Sequence, residues 1–209
     1  MPPRPRLITF DILGTVLDWR SGLEAACHAA GRTLGHGEFD RIVDAQAALE
    51  HGPYLTYTTI ARRSLADTLG LPDAQVTAIS DSIGAWPLYN DAPLLRTLMQ
   101  IAPCAAMTNS DRAHGEAIQA HLGFKLDTWQ CAEETRLYKP DPGFWRHMSR
   151  LRGIAPGADW WHVSAYADYD LRVANDIGLT TVFVDRPHAR PGAANYDVGD
   201  LRGLLSLLS

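Results

Sequence analysis

Leu7-Ile8-Thr9-Phe10-Asp11-Ile12-Leu13-Gly14-Thr15 is an apolar, β-type run that delivers an acidic residue at its end and then turns on a glycine. A carboxylate just past the carboxyl end of a strand in an α/β sheet stands where such sheets hold their ligands, and a glycine lets backbone approach whatever binds. Gly14-Thr15 adds an amide and a hydroxyl close to the acid. The competing reading makes Asp11 a helix N-cap, but a cap is followed at once by helical residues, and here Ile12 to Val16 intervene.

Outward from Asp11 the chain turns helical. Residues 21–34, 38–49, 56–69 and 73–86 carry helical periodicity without strand alternation, separated by Gly35-His36-Gly37, His51-Gly52-Pro53 and Gly70-Leu71-Pro72. Four consecutive helices between strands predict an inserted subdomain that hangs over the site as a lid; the alternative is a plain helical layer packed on a sheet. Turn formers from Pro87 to Pro93 bring the chain back.

From there helix and strand alternate. Leu94, Leu95, Leu98 and Met99 mark a helix face; residues 104–107 form a strand, 112–122 a helix stopped by Gly123, and 128–132 a strand. Asp141 is the natural N-cap of a helix with Pro142 at its first position. A strand at 160–164, a helix at 171–177 stopped by Gly178, a strand at 180–184, a loop and a last helix at 201–208 complete the series. The expected fold is α/β: a doubly wound, parallel, Rossmann-like sheet from residues 1–16 and 91–209, with a helical cap at 17–90.

Such a sheet gathers its functional loops at one edge, which collects the other candidates. Thr108 and Asn109 end a strand, and because Ser110 or Asp111 can cap the following helix, they are free to face a ligand. Lys139, in Lys139-Pro140-Asp141-Pro142, can keep Asp11 ionised and offset negative charge on a substrate. Asp170 is a water-activating base, a partner for Lys139 or an N-cap, with Asp168 a rival for each role. An ionised, desolvated carboxylate at position 11 is a competent nucleophile, forming a covalent intermediate that water opens.

Composition narrows the classes. A net charge of −5 and a pI near 5.9 give no basic footprint for nucleic acid. No apolar run approaches the ~20 residues needed to span a bilayer, and the basic start Met1 to Arg6 leads straight into a short strand, unlike a secretory signal. Cys27, Cys104 and Cys131 form no CxxC pair, which fits buried thiols in a reducing cytoplasm. The histidines form no zinc pattern, and His162 beside Trp160 and Trp161 reads as a packing residue.

Asp11, the Thr108-Asn109-Ser110 loop, Lys139-Pro140-Asp141-Pro142 and the stretch from Val163 to Asp170, in that order, resemble the haloacid dehalogenase superfamily of hydrolases. Residues 10–19 and 162–185 are most similar to the type II 2-haloacid dehalogenases. The resemblance implies that Asp11 displaces halide from a small 2-haloalkanoic acid and that water then hydrolyses the aspartyl ester. Lys139 and Asp170 would assist, and Thr15, Thr108, Asn109 and Ser164 would line the substrate site, with amides at the helix start after Thr108 holding the substrate carboxylate.

It implies no cofactor and a small-molecule carboxylate as partner, without nucleic acid or membrane; the apolar cap is compatible with a homodimer. The sequence departs from that family at Leu13, where it carries Tyr, and at Ser164-Ala165-Tyr166, where it carries Ser-Ser-Asn. It departs again at Ala45, where the family has a halide-receiving Arg; Arg41, one helical turn earlier, is the candidate replacement. The rival reading is a magnesium-dependent phosphatase. It meets Leu13 where a proton-donating Asp is needed and Ala165 where a metal ligand is expected. A third is a family member that binds without turnover.

Overall fold

The structure, a computed structural model, describes residues 4–209; residues 1–3, part of the basic start and of the expected core segment, lie outside the described residues. Strand β1 (Leu7–Phe10) is buried at every position, so its apolar run is continuous rather than alternating, as expected where both sheet faces are covered. The others are β2 (Cys104–Thr108), β3 (Thr128–Cys131), β4 (Trp160–Ser164), β5 (Thr180–Val184) and β6 (Tyr196–Val198). All pair in parallel, in the order β3-β2-β1-β4-β5-β6. The order reverses between β1 and β4, and at such a switch point the loops diverge and leave a crevice. Asp11, Thr108 and Ser164 end or follow the three strands that meet there.

Helices α1 (Trp19–Ala29), α2 (Glu38–Glu50), α3 (Tyr57–Leu69) and α4 (Asp73–Asp81) follow β1, ending in a short 3₁₀ turn at Ile83–Ala85. The first stops at Ala29 rather than near Leu34, because Gly31 takes a φ of 80° and turns the chain. The two linkers to this layer run side by side: Asp18 N–H donates to Pro87 O at 2.8 Å and Tyr89 N–H to Val16 O at 3.0 Å.

Further along lie α5 (Leu95–Leu98), α6 (Arg112–Leu122), α7 (Ala132–Thr135), α8 (Pro142–Arg152), α9 (Arg172–Asp176) and α10 (Leu201–Leu208). Asp141 caps α8 through Gly143 N–H, with Pro142 at its first position. The helix expected at 171–177 is shorter and is preceded by a π-turn at Ala167–Leu171. Strand β6, read as loop from sequence, pairs with β5 at the sheet edge.

Asp111 stands at the N-cap position of α6, yet its carboxylate turns to the cap, accepting from Tyr57 N–H at 2.8 Å, Thr58 N–H at 2.8 Å and the Thr58 hydroxyl at 2.7 Å. These are otherwise orphan donors at the start of α3, so one side chain ties the helical layer to the loop after β2. All three cysteines are buried, which pushes the Cys27 and Cys131 thiols up to about 11 and Cys104 to about 12. Thiols so shifted stay protonated and are poor nucleophiles.

Candidate active site

Leaving β1, the chain places Asp11 at the floor of the crevice, 3% exposed. Gly14 then takes a φ of 91°, and a Cβ there would lie 2.6 Å from the Tyr166 hydroxyl, so both conformation and space demand glycine. The turn brings the Thr15 hydroxyl back to donate to Asp11 Oδ2 at 2.7 Å, while its oxygen accepts from Ala165 N–H at 2.9 Å.

The ammonium of Lys139, fully buried, donates to Asp11 Oδ1 at 2.9 Å and to Asp170 Oδ2 at 2.7 Å. Asn109 fixes that lysine by its backbone, accepting Lys139 N–H at 2.8 Å and donating to Lys139 O at 3.0 Å. Behind Asp170 the network continues inward: its Oδ1 lies 3.0 Å from His162 Nε2, and His162 Nδ1 lies 2.8 Å from the Thr9 hydroxyl. That hydroxyl also accepts from Trp160 Nε1 at 2.9 Å.

Burial and charge pull the three central groups differently. Burial alone disfavours the Lys139 ammonium, but the two carboxylates outweigh it and hold its pKa above the ordinary lysine value. Burial also works against the Asp170 carboxylate, yet Lys139 and His162 overcome it and hold that acid well below the usual range. For Asp11 burial wins: attraction to Lys139 offsets it in part, Asp170 adds repulsion, and the pKa is raised. Asp11 is thus the more basic carboxylate, and Asp170, with both oxygens bonded, serves as a fixed counter-charge to Lys139.

Over these groups lies a cavity of about 240 Å³. Its walls include Leu13 and Tyr169 from the sheet edge and Trp19, Val43, Gln46 and Tyr57 from the helices above. Thr108 and Asn109 line it, the Thr108 hydroxyl receiving Ser110 N–H at 3.3 Å. Ser164 is buried at the end of β4, outside the cavity lining, and its hydroxyl accepts Tyr166 N–H at 3.1 Å.

Arg41 is not brought to the site. Its side chain is 58% exposed and faces Glu38 at 3.5 Å, since the face of α2 turned to the cavity carries Val43, Gln46, Ala47 and Glu50. Arginine reaches the cavity from elsewhere. Arg190, in the loop after β5, and Arg172, at the start of α9, both line it. Arg190 pairs with Asp44 at 2.7 Å, and despite the cost of burial that partner keeps its pKa above the ordinary arginine value.

The helix start after Thr108 is also not available as expected. The Ser110, Asp111 and Arg112 amides already donate to Thr108 Oγ, His114 Nδ1 and Glu133. Sequence reasoning missed Arg190, for which an irregular loop gives no signal, and His162 as a partner of Asp170. It also missed Glu50, although the spacing 43, 46, 47, 50 places it on one helical face.

Magnesium, required by the phosphatase alternative, does not fit this donor set. Both oxygens of Asp11 accept from Lys139 and Thr15, both of Asp170 face Lys139 and His162, and positions 13 and 165 are Leu and Ala. Among the described residues no group of three or more His, Cys, Asp or Glu side chains clusters as a metal ligand set.

Strand order, switch-point crevice and overlying helices together define the chain as having a haloacid dehalogenase-like hydrolase fold. Among solved structures it is similar over its whole length to L-2-haloacid dehalogenases. The L-2-haloacid dehalogenase PA0810 superposes with a TM-score of 0.83 at 27% identity, covering 98% of this chain and 100% of that one. The L-2-haloacid dehalogenase from Xanthobacter autotrophicus, with chloropropionic acid covalently bound, gives 0.81 at 19% identity, covering 98% of each.

The putative HAD-hydrolase YfnB from Bacillus subtilis, bound to magnesium, gives 0.81 at 15% identity, covering 98% of this chain and 99% of that one. No protein-family model and no curated protein matches the sequence. No helix among the described residues is long and apolar enough to cross a membrane.

Proposed function

We propose that the chain is a hydrolase of the 2-haloacid dehalogenase type, acting without metal on a small 2-haloalkanoic acid. The observation that carries this reading is the environment of Asp11: a basic buried carboxylate, supported by Lys139 and Thr15, facing a small cavity with Leu13 where a phosphatase needs a proton donor. Asp11 attacks the α-carbon, the carbon–halogen bond breaks with its electron pair leaving on halide, and configuration inverts. Water then adds to the carboxyl carbon of the aspartyl ester, releasing a 2-hydroxy acid, one proton and the Asp11 carboxylate. Halide leaves without being protonated, so Leu13 is no obstacle.

Lys139 stays charged throughout and stabilises the oxygen on which charge builds during ester hydrolysis. Arg190, Arg172 and Thr108 are the groups on the cavity wall suited to the substrate carboxylate, and the helices at 17–90 serve as the cap that excludes water. The likeness to PA0810, a named L-2-haloacid dehalogenase, supports the same class.

The test is halide release from the enantiomers of 2-chloropropionate in EDTA, with Asp11→Asn inactive and an ester of 2-hydroxypropionate mass detected on the Asp11 peptide. Magnesium-dependent hydrolysis of small phosphate esters, with no halide released, would replace this reading by the phosphatase. Inactivity on both panels would leave a binding protein.

A further inference from the structure

Asn109 lines the cavity over Asp11, where an amide N–H could donate to a bound anion, yet both of its N–H donors are already used. One N–H goes to Lys139 O at 3.0 Å, the other to Glu50 Oε2 at 2.9 Å, and its oxygen accepts from Lys139 N–H. Glu50 ends α2 on the cavity-facing side and lines the cavity over Asp11. With His51 and Pro140 it also borders a second cavity of about 360 Å³, so these three residues stand between the two spaces.

We propose that Glu50 is the specificity-determining residue of this site, its carboxyl group donating to the departing halide, a contact for which Asn109 has no N–H left. The proposal rests on the reading of Asp11 as the nucleophile. Desolvation pushes the Glu50 carboxyl up to about 8, the Asn109 hydrogen bond and Lys139 offsetting it only in part and Asp11 adding to it. The groups whose charges bear on it are Asp11 at the end of β1, Lys139 before α8, Tyr57 on α3, Tyr138 beside Lys139 and Tyr169 in the π-turn.

The tyrosines are raised by burial and stay neutral. Glu50 is accordingly a neutral acid at pH 7. Oε2 accepts from Asn109, which leaves Oε1 as the oxygen free to carry the proton, and an O–H there is a donor without net charge.

A neutral donor discriminates among halides. It strengthens with the charge density of the acceptor, so it assists chloride more than bromide; the halide keeps the bond electrons, and no proton need be transferred. Ionisation reverses the effect: a carboxylate in the same place repels both the 2-haloacid and the halide it yields.

The experiment compares wild type, Glu50→Gln and Glu50→Leu on 2-chloro- and 2-bromopropionate from pH 6 to 9.5, with propionate binding to Asp11→Asn and to the Asp11→Asn/Glu50→Gln double variant measured by calorimetry at pH 7 and 9. In wild type kcat/KM falls above about pH 8, approaching tenfold per unit. Glu50→Gln, which keeps a neutral donor, turns over a few-fold more slowly at pH 7 and lacks the alkaline limb.

Glu50→Leu lowers kcat/KM for the chloro substrate by roughly fivefold, the effect of one neutral hydrogen bond, and for the bromo substrate by less, so the chloro-to-bromo ratio shifts toward bromide. An alkaline limb that persists in Glu50→Gln, or an unchanged ratio in Glu50→Leu, overturns the proposal. Failure of wild type to release any halide overturns the dehalogenase reading instead. Glu50 is then judged by calorimetry, where propionate affinity in Asp11→Asn that is equal at pH 7 and 9 counts against it.

Discussion

Replacing Lys139 by methionine removes one positive charge from between two buried carboxylates while keeping most of the side-chain volume. Lys139 and Asp170 are each 0% exposed and Asp11 3%, so water does not reach in to substitute for the lost ammonium. Breaking a buried ion pair by deleting one partner costs about 3–5 kcal/mol, because an uncompensated charge is left behind. In a chain of this size each kcal/mol moves Tm by about 2–4 °C, so a fall of roughly 6–20 °C is expected.

The loss also depends on pH, with a definite sign. In the wild type Asp170, with its depressed pKa, contributes stability that is present above about pH 4, the unfolded value, and is lost as pH falls through its folded pKa. Asp11, with its raised pKa, already runs the other way, its stabilising contribution being lost as pH rises. Without Lys139 both carboxyls are raised, and the folded state then prefers them protonated. The deficit of Lys139→Met is therefore smaller at pH 5 than at pH 8, as urea unfolding followed by tryptophan fluorescence would register. A deficit below about 1 kcal/mol at pH 8, the size of an exposed pair, or one equal at both pH values, would refute this account of the network.

Asp111→Ala removes the acceptor of three donors at the start of α3, and a loss of about 2 kcal/mol is expected, with faster hydrogen exchange at Tyr57 and Thr58 while β1 and β4 stay protected. Gly22→Ala places a Cβ 2.4 Å from Trp86 Cγ; overpacking of about 1–3 kcal/mol exceeds the gain of about 1 kcal/mol in helix propensity, so Tm falls despite the better helix former. Arg41→Ala, which deletes an exposed arginine and leaves Glu38 its shorter pair with Arg32 at 2.7 Å, keeps stability within about 0.5 kcal/mol and kcat/KM unchanged. Arg190→Met, by contrast, lowers kcat/KM for an anionic substrate roughly thirtyfold, measured at fixed ionic strength.

β1, β2, β4 and β5 were legible because they are buried at every position and appear as short, largely apolar runs, with unmistakable stops such as Gly123, Gly178 and Asp141-Pro142 ending or starting the helices between strands. β6 was not, since three residues, Tyr-Asp-Val, at an edge offer too little pattern to separate from loop. Asp11, Thr15, Lys139 and Asp170 could be nominated one by one from position and residue type. That a single ammonium joins both acids depends on strand register, which spacing along the chain does not encode. Arg41 illustrates the opposite failure: it does share a face with Ala45 one turn on, but that face is not the one that lines the cavity, which takes Val43, Gln46, Ala47 and Glu50, and its side chain goes to solvent. Glu50 continues a row at helical spacing, but a helix-end glutamate is ordinarily solvated, so its residue type alone gives no signal.

The choice between Asp168 and Asp170 turns on one piece of backbone. Arg172 N–H donates to Ala167 O and Leu171 N–H to Tyr166 O, each across five residues, so the chain takes an extra residue into this turn before α9 begins. The wider turn sets Asp170 inward at 0% exposed, where Lys139 and His162 take its two oxygens. It leaves Asp168 43% exposed on the cavity rim, 3.9 Å from Arg190. One acid thereby becomes the fixed counter-charge that keeps Lys139 protonated, and the other helps hold the arginine at the entrance. A regular α-turn, one residue tighter, would move the inward position off Asp170. The π-turn is thus the local distortion that delivers the Asp170 carboxylate to the lysine beside Asp11.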